Sequence, residues 1–223
     1  MDRPESPERM ADFFDARSDG YVEHMRRSVS EFDDFYQSVA RLVSPTDQPV
    51  KILDIGCGTG LELDAIFRRA PQARITAIDV SRGMLTELKR RFADRSEQIS
   101  VIKGSYLQIP LGEVVYEYAV AVMTLHHLLP RTKRELYGRI NRALKSGGTL
   151  VQGDWVVSPQ EERRYRLRCE EITGTAQGWE DGRHHVDIPL TAESERELLL
   201  EAGFSSVEIA WRSEGTAVLA ARR

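Results

Sequence analysis

Cysteine is scarce in this chain, with two residues, Cys57 and Cys169, among 223. Two cysteines cannot supply the disulfide framework that holds small secreted domains together. We therefore interpret both as reduced thiols of a cytoplasmic protein, and Cys57 as a small residue that suits its loop.

Long apolar runs are also missing. No stretch approaches the roughly 20 apolar residues that a membrane-spanning helix needs. The first residues, Met1 to Arg9, are rich in proline and charge and lack the apolar segment of a secretory signal. We expect this start to be frayed, no membrane association and a cytoplasmic location.

The chain has no excess of basic residues: 31 Lys and Arg stand against 35 Asp and Glu, giving a net charge of −4. This balance excludes a strong general attraction to nucleic acid, while a local basic patch stays compatible with it. A chain of 223 residues can bury one full core. We therefore expect a single domain.

The most informative stretch is segment 50–60, which reads VKILDIGCGTG. Its apolar residues are typical of a buried parallel strand. Gly56, Gly58 and Gly60 permit positive φ angles and let a ligand approach the backbone closely. The segment therefore predicts a strand that ends in a cofactor-binding loop.

Two classes of cofactor fit such a loop. Dinucleotide-binding folds use the spacing G-x-G-x-x-G, whereas the spacing here is G-x-G-x-G. Asp54, just before the loop, suits a cationic amino group and would repel a pyrophosphate. Asp79 ends the next predicted strand, where ribose hydroxyls are bound in either class, so it does not discriminate between them.

Strand and helix patterns alternate along the chain, which predicts a mostly parallel sheet with helices on both faces. Thr191 can cap a late helix, and strand signals at 206–211 and 216–221 follow it as an edge hairpin. The other predicted strands are 50–55, 74–79, 98–102, 115–122 and 148–156, and the predicted helices are 60–70, 81–95, 131–144 and 193–202.

Apolar residues also recur at helical spacing from Met10 to Val43, before Ser44-Pro45 ends the pattern. The sequence thus predicts one domain with four parts. These are a helical N-terminal cap at 1–45, a cofactor-binding core at 46–157, an insertion or lid at 158–190, and a C-terminal helix with the hairpin at 191–223.

Three ordered motifs, LDIGCGTG at 53–60, AIDVS at 77–81 and LHHL at 125–128, resemble those of the S-adenosylmethionine-dependent methyltransferases of the Rossmann-like class. LKSGGTL at 144–150 and EAGF at 201–204 extend the resemblance to the end of the chain. It implies a doubly wound α/β fold with a mostly parallel seven-stranded sheet, a C-terminal antiparallel hairpin and N-terminal helices as a cap. It also implies S-adenosyl-L-methionine as cofactor and a small molecule or modified nucleoside as methyl acceptor.

The resemblance assigns cofactor contacts residue by residue. Asp79 should receive the ribose hydroxyls, and Ser105 stands where the family usually has an acid for the adenine amino group. Because a hydroxyl accepts without charge assistance, we expect recognition of the adenine to depend more on packing by Tyr106 or Val80. The fourth predicted strand also departs from the family's usual pattern. Glu117 stands where the family commonly has Asp, and Ala121 stands where it commonly has Ser. The implied cofactor-binding residues are Asp54, Gly56, Gly58, Gly60, Asp79, Val80, Met84, Gly104, Ser105, Tyr106 and Met123.

His126 is the catalytic candidate, because a neutral imidazole could take a proton from an oxygen or nitrogen acceptor. Adjacent residues that leave a strand point in different directions, so we expect at most one of His126 and His127 to face the cofactor. The alternative is that both only form the wall of a loop. A base is not indispensable, since the sulfonium already activates the methyl group.

The segment 154–190 is too long for an ordinary connection and predicts a lid over the acceptor. With the N-terminal helices it should surround the methyl group, and the lining candidates are Tyr21, Phe32, Trp155 and Arg183. We predict no metal: adjacent His184 and His185 seldom ligate one ion, and beyond Asp187 no further ligand is suitably spaced.

A narrower resemblance links the N-terminal helices, the end of the insertion at 189–191 and the tail at 215–220 to carboxy-S-adenosylmethionine synthase, which acts in tRNA wobble-uridine modification. That family holds its extra carboxylate with an arginine from this insertion, for which Arg183 is the candidate here. Its glycine loop and strand-four end differ from this chain, which favours ordinary methyl transfer. A non-catalytic cofactor-binding protein and a homodimer formed through the N-terminal helices are further alternatives.

Overall fold

The computed structural model describes residues 7–176 and 178–223. Of the start predicted to be frayed, Met1 to Arg9, residues 1–6 lie outside the described residues. Glu8 and Arg9 are not frayed, because the Glu8 carbonyl accepts from the His185 amide at 2.8 Å and Arg9 forms a β-bridge with His184. The strands are β1 (Lys51–Ile55), β2 (Arg74–Asp79), β3 (Ile99–Lys103), β4 (Tyr116–Val122), β5 (Leu144–Trp155), β6 (Ser206–Ser213) and β7 (Thr216–Arg222). They form one sheet in the order β3-β2-β1-β4-β5-β7-β6. The neighbours from β3 to β5 pair in parallel, and β7 pairs antiparallel with β5 and β6. The predicted Rossmann-like, mostly parallel seven-stranded sheet with a C-terminal antiparallel hairpin is confirmed.

The α-helices of the described residues are α1 (Met10–Asp15), α2 (Tyr21–Ser28), α3 (Phe32–Arg41), α4 (Leu63–Arg69), α5 (Arg82–Arg91), α6 (Pro130–Ala143), α7 (Pro159–Thr175) and α8 (Ala192–Glu201). Ser81 caps α5, and Thr191 caps α8 as predicted. The predicted helix 60–70 begins only at Leu63, because turns follow the glycine loop. The predicted strand 148–156 begins earlier, because Leu144 already pairs with Tyr116 across an irregular register.

Both faces of the sheet are buried, as the alternation of strands and helices predicts. Ile52 and Leu53 are adjacent and both fully buried, yet they belong to opposite hydrophobic clusters. Residues of α3, α4 and α5 pack in the first cluster, and residues of α6 and α8 pack in the second. A strand covered on both faces requires apolar side chains in succession, which explains the run in segment 50–55.

The strand order reverses between β1 and β4, whose ends lie side by side with Ile55 opposite Ala121. In open α/β sheets, ligands bind outside the carboxyl ends of the strands at such a switch point. The glycine loop follows β1, and a 3₁₀ turn at Leu125–His127 closely follows β4. The fold therefore brings the two sequence motifs to one crevice.

The first helix is tied both to the core and to the insertion. The Asp15 carboxylate accepts hydrogen bonds from the Ser81 hydroxyl at 2.6 Å and the Gly83 amide at 2.9 Å, and these bonds lower the pKa of Asp15. On the other side the Met10 amide donates to the Arg183 carbonyl at 2.8 Å. Helix α1 thus bridges α5 and the insertion across the crevice.

Among the helices of residues 7–176 and 178–223, none combines the length and apolar character required to cross a membrane.

Candidate functional site

The glycines of the loop after β1 have different roles. Gly56, Gly58 and Gly60 have φ angles of +65°, +49° and +72°. A Cβ at Gly56 would collide with the Thr124 side chain, and one at Gly60 would come within 3.0 Å of Leu63 and Phe92. At Gly58 a Cβ would meet nothing within 4 Å. Gly58 is therefore the glycine that leaves open space above the backbone.

Asp79 holds the glycine loop against the start of α5. Its Oδ2 accepts from the Gly58 amide at 2.9 Å, and its Oδ1 accepts from the Ser81 amide at 2.8 Å. The side chain is buried, and burial raises its pKa in spite of these bonds. Each carboxylate oxygen keeps a further lone pair, so the geometry leaves room for ligand hydroxyls.

Asp54 and Glu62 form a buried acidic pair below the loop. They are 1% and 4% exposed. Both carboxylate oxygens of Asp54 and the Oε1 of Glu62 lack hydrogen-bond partners among the described residues. Burial raises the pKa of both acids, and the neighbouring Glu62 raises that of Asp54 further. A neighbouring cation would stabilise these acids as carboxylates, and the amino group of S-adenosylmethionine would supply one.

A small void marks the cofactor side of the crevice. Its volume is about 40 Å³, room for only about three water molecules. Phe14 and Tyr21 of the N-terminal helices enclose it from above. Of the residues predicted to bind the cofactor, five line it: Gly56, Gly58, Asp79, Met84 and Met123.

The other predicted cofactor residues lie around this void. Asp54 is beneath the loop, Gly60 packs inside it, and Val80 is half-buried. The Gly104 amide donates to the Asp79 carbonyl at 2.8 Å, and the Ser105 hydroxyl accepts from the Leu107 amide at 3.3 Å. Tyr106 packs against the second hydrophobic cluster. The structure therefore does not bring Gly104, Ser105 and Tyr106 into the lining of the void.

A larger cavity of about 800 Å³ lies beside the void and shares the lining residues Phe14, Tyr21 and Met123 with it. Its other walls come from α1, α2, the turn after β4 and the insertion. Tyr21 and Trp155, two of the residues predicted to line the space beside the methyl group, lie in the wall of this cavity, which we call the acceptor cavity. Phe32 and Arg183 do not, because the Phe32 ring packs on Tyr36 at 4.6 Å and the exposed Arg183 pairs with Glu180 at 2.9 Å.

His126 is held by Asp154, which belongs to β5. The Nδ1 of His126 lies 2.5 Å from Asp154 Oδ1, and Asp154 Oδ2 accepts from the amides of Leu125 and His126 at 3.0 Å. Burial would raise the pKa of Asp154, but His126 outweighs it and the pKa lies below its usual range. Hydrogen bonding at Nδ1 leaves the Nε2 lone pair of a neutral imidazole free.

His127 lines the acceptor cavity as His126 does, and neither histidine lines the void above the glycine loop. The two residues lie in the 3₁₀ turn rather than a strand, and their ring centroids are 4.0 Å apart. Burial and the neighbouring His126 lower the pKa of His127 to about 4. His127 is therefore neutral at physiological pH.

Asp187 and His185 of the insertion complete this wall. Asp187 Oδ1 lies 3.2 Å from His127 Nδ1 and 3.8 Å from His185 Nε2. Burial opposes ionisation of Asp187, but the histidines outweigh it and lower its pKa to about 2. His185 stacks on Phe13 at 3.6 Å between ring centroids. The polar side chains of this wall are those of His126, His127, His185 and Asp187. Each of the three histidine rings contacts an aromatic ring, that of Trp155, Phe14 and Phe13 respectively.

Sequence reasoning missed Asp154, Glu62 and the approach of Asp187 to His126 and His127. Asp154 had a usable signal, because it lies near the carboxyl end of β5, where ligand-facing groups are expected. Asp187 had none, because 60 positions separate it from His127 in the sequence. In three dimensions Asp187 therefore lies near two ligand-type side chains, His126 and His127, that its sequence neighbourhood does not contain.

Residues 52–148 match a family model described as a methyltransferase domain. The chain is 30% identical over 151 residues to 24-methylenesterol C-methyltransferase 3 of Arabidopsis thaliana, covering 64% of this chain and 40% of that protein. It is 29% identical over 187 residues to the carboxy-S-adenosyl-L-methionine synthase of Wolinella succinogenes, covering 77% and 75%. A DhpI-SAM-HEP complex shares the fold with a TM-score of 0.68, 18% identity and 95% coverage of both chains. The match to the plant enzyme covers less than half of that enzyme's length.

Proposed function

The chain belongs to the S-adenosylmethionine-dependent methyltransferases of the Rossmann-like class, and we propose that it methylates a small molecule in the acceptor cavity. The observation that carries this proposal is the shared wall. Phe14, Tyr21 and Met123 border both the void above the glycine loop and the 800 Å³ cavity. A cofactor on one side and an acceptor on the other would meet there.

The cofactor is S-adenosyl-L-methionine, which supplies a methyl group activated by a sulfonium centre. We propose that the free lone pairs of Asp79 accept the ribose hydroxyls and that Asp54 with Glu62 neutralises the ammonium group. The open backbone at Gly58 admits the body of the ligand.

His126 is the proposed catalytic residue on the acceptor side. Asp154 fixes its ring through Nδ1, and the remaining Nε2 lone pair can interact with an acceptor hydroxyl or amine in the cavity. Phe13, Phe14, Tyr21 and Trp155 line the same cavity and give it aromatic walls. An aromatic wall of this kind favours an acceptor with a flat or apolar body.

The second candidate is a carboxy-S-adenosylmethionine synthase, favoured by relatives of that name at 24–29% identity. The proposed holder of an extra carboxylate is Arg183, which pairs with Glu180 outside the acceptor cavity. This arrangement favours the ordinary cofactor. A purely cofactor-binding role is less supported, because the N-terminal helices leave a cavity of 800 Å³.

The proposal also covers domain organisation, cellular location and oligomeric state. We propose a single domain with its cap at 1–45, core at 46–157, lid at 158–190 and C-terminal part at 191–223. The two cysteines are free and buried, which supports a cytoplasmic location. Use of the N-terminal helices in a homodimer is the alternative to their use as a lid.

Mass spectrometry of the ligand released from freshly purified protein tests the proposal. We expect S-adenosylmethionine or S-adenosylhomocysteine, with rebinding of the latter in a calorimetric titration. Release of a carboxylated cofactor would support the synthase instead, and release of NAD would contradict both readings.

A further inference from the structure

Two histidines and one carboxylate converge on the wall of the acceptor cavity. His126, His127 and Asp187 each offer a ligand atom, and these atoms all lie within 4.8 Å of one another. The histidines come from the turn after β4, and the carboxylate comes from the insertion. The Ile188 amide donates to the His126 carbonyl at 2.6 Å, which holds the Asp187 segment against the turn.

The facing atoms are near one another without bonding to one another. His127 Nδ1 is 3.2 Å from Asp187 Oδ1, yet it is buried and has no hydrogen-bond partner of acceptable geometry among the described residues. The His127 side chain is only 5% exposed. A buried polar atom without a partner is costly, and atoms that miss one another can still point toward a common ion.

Asp154 supplies the outer support that metal-binding histidines require. A ligating histidine almost always gives its second ring nitrogen to a carboxylate or carbonyl, which fixes the ring and its tautomer. His126 does this through Nδ1 to Asp154 at 2.5 Å. Asp154 also accepts the amides of Leu125 and His126, so the whole turn is fixed before any ion arrives.

We propose that His126, through Nε2, His127, through Nδ1, and Asp187 bind one divalent transition-metal ion at the acceptor cavity. The ligand set, two imidazoles and one carboxylate, suits zinc or ferrous iron and leaves coordination positions open. The charges of Asp154 and Asp187 balance a divalent ion between neutral imidazoles. His185, whose Nε2 is 3.8 Å from Asp187 Oδ1, is the candidate for a fourth ligand.

This site deepens the proposed methyl transfer and rests on it for its meaning. With the ion bound, Nε2 of His126 would be a metal ligand, and the ion would take over the activation of the acceptor that is otherwise assigned to this nitrogen. An ion in the cavity wall would take an acceptor oxygen as a further ligand and favour its deprotonated form, the proton passing to solvent. The acceptor class would then be a hydroxyl compound, best with a second oxygen nearby to chelate the ion. The cofactor side of the crevice would be unaffected.

Calorimetric titration of the tag-free, chelator-treated protein with Zn²⁺ tests the site, and Co²⁺ absorption reports on its coordination. We expect one ion per chain and a visible Co²⁺ spectrum. Asp187→Asn and His127→Gln should each weaken binding at least about 10-fold, and Asp154→Asn, outside the coordination shell, by about 10- to 100-fold. His184→Gln is the matched control, because His184 bonds to Glu180 instead of the cluster. It should bind as the unmodified protein does.

Titration with S-adenosylhomocysteine in the same samples separates this proposal from the wider one. Equal zinc affinity in all variants, or no stoichiometric binding at all, overturns the metal site, and retained binding of S-adenosylhomocysteine then leaves the methyltransferase proposal standing. If the unmodified protein does not bind S-adenosylhomocysteine, the methyltransferase proposal itself is contradicted. Circular dichroism identifies a variant that fails to fold, and the remaining variants then decide the outcome.

Discussion

The Gly58 amide donates to Asp79 Oδ2 at 2.9 Å, so the loop after β1 and the acid that ends β2 form one unit. The bond fixes the carboxylate beside the open face of the glycine. The two residues are separated by 21 positions in the sequence and lie together in the lining of the void.

Asp79→Ala should weaken the binding of S-adenosylhomocysteine by about 1.5 kcal/mol or more, which is at least about tenfold in Kd. The loss removes the acceptor for the ribose hydroxyls and frees the Gly58 and Ser81 amides. Calorimetric titration measures it, with Asp79→Asn as the milder variant. Unchanged affinity in a folded Asp79→Ala protein would remove Asp79 from the site.

Gly58→Val should abolish cofactor binding and leave most of the fold intact. The valine side chain would fill the space above the loop, and its φ of +49° would add strain of about 1–2 kcal/mol. Gly147→Val is a matched control, because Gly147 also has a positive φ and open space around its Cβ position. We expect similar losses of thermal stability in both variants but loss of S-adenosylhomocysteine binding in the first alone. Retained binding in folded Gly58→Val would contradict the assignment of the loop.

Glu62→Gln should stabilise the cofactor-free protein at neutral pH. Burial raises the pKa of Glu62 above the ordinary 4.5, so the folded chain holds its proton more tightly than the unfolded chain does. Stability from such an acid is present below pH 4.5 and is lost as pH rises through the folded pKa. As pH rises from 4.5 to neutrality, the melting temperature should therefore fall less steeply for Glu62→Gln than for the exposed control Glu97→Gln. Parallel curves would show that Glu62 carries no such penalty.

Binding of S-adenosylhomocysteine should slow hydrogen exchange in residues 10–43 and across the insertion. The contacts of Asp15 with Ser81 and Gly83 link α1 to the helix after Asp79, so ordering the site should order the cap. Helix α6, none of whose residues lines the void or the acceptor cavity, serves as the internal reference. Protection limited to residues 54–60, 79–84 and 104–106 would mean that the cap does not close over the cofactor.

The sequence was sufficient where the relevant residues are neighbours in the chain. The glycine loop and Asp79 follow predicted strands directly, and parallel strands bring their carboxyl ends to one edge. It was insufficient where distant segments meet, as Asp154 and Asp187 do at the two histidines. The 3₁₀ turn at His126 and His127 was also not foreseen: it brings both rings to one cavity, whereas a strand would have directed them to opposite faces.

Arg183 illustrates a different limit. Its position in the insertion was compatible with binding a carboxylate, but Glu180, three residues earlier, pairs with it at the surface. A sequence that contains many acids and bases offers several partners to each arginine, and packing decides between them. The resemblance to carboxy-S-adenosylmethionine synthase therefore indicated which segment holds the arginine but not the direction of the Arg183 side chain.

The central claim is methyl transfer from S-adenosylmethionine in the acceptor cavity. Its most direct test incubates the protein with methyl-labelled S-adenosylmethionine and a small-molecule extract, and follows labelled products by mass spectrometry. We predict labelled acceptor and S-adenosylhomocysteine in equal amounts, a loss of about 100-fold or more in His126→Ala, and normal transfer in His184→Gln. Equal labelling with His126→Ala would remove His126 from catalysis. Consumption of the cofactor with formation of a carboxylated derivative, and no labelled acceptor, would contradict the central claim.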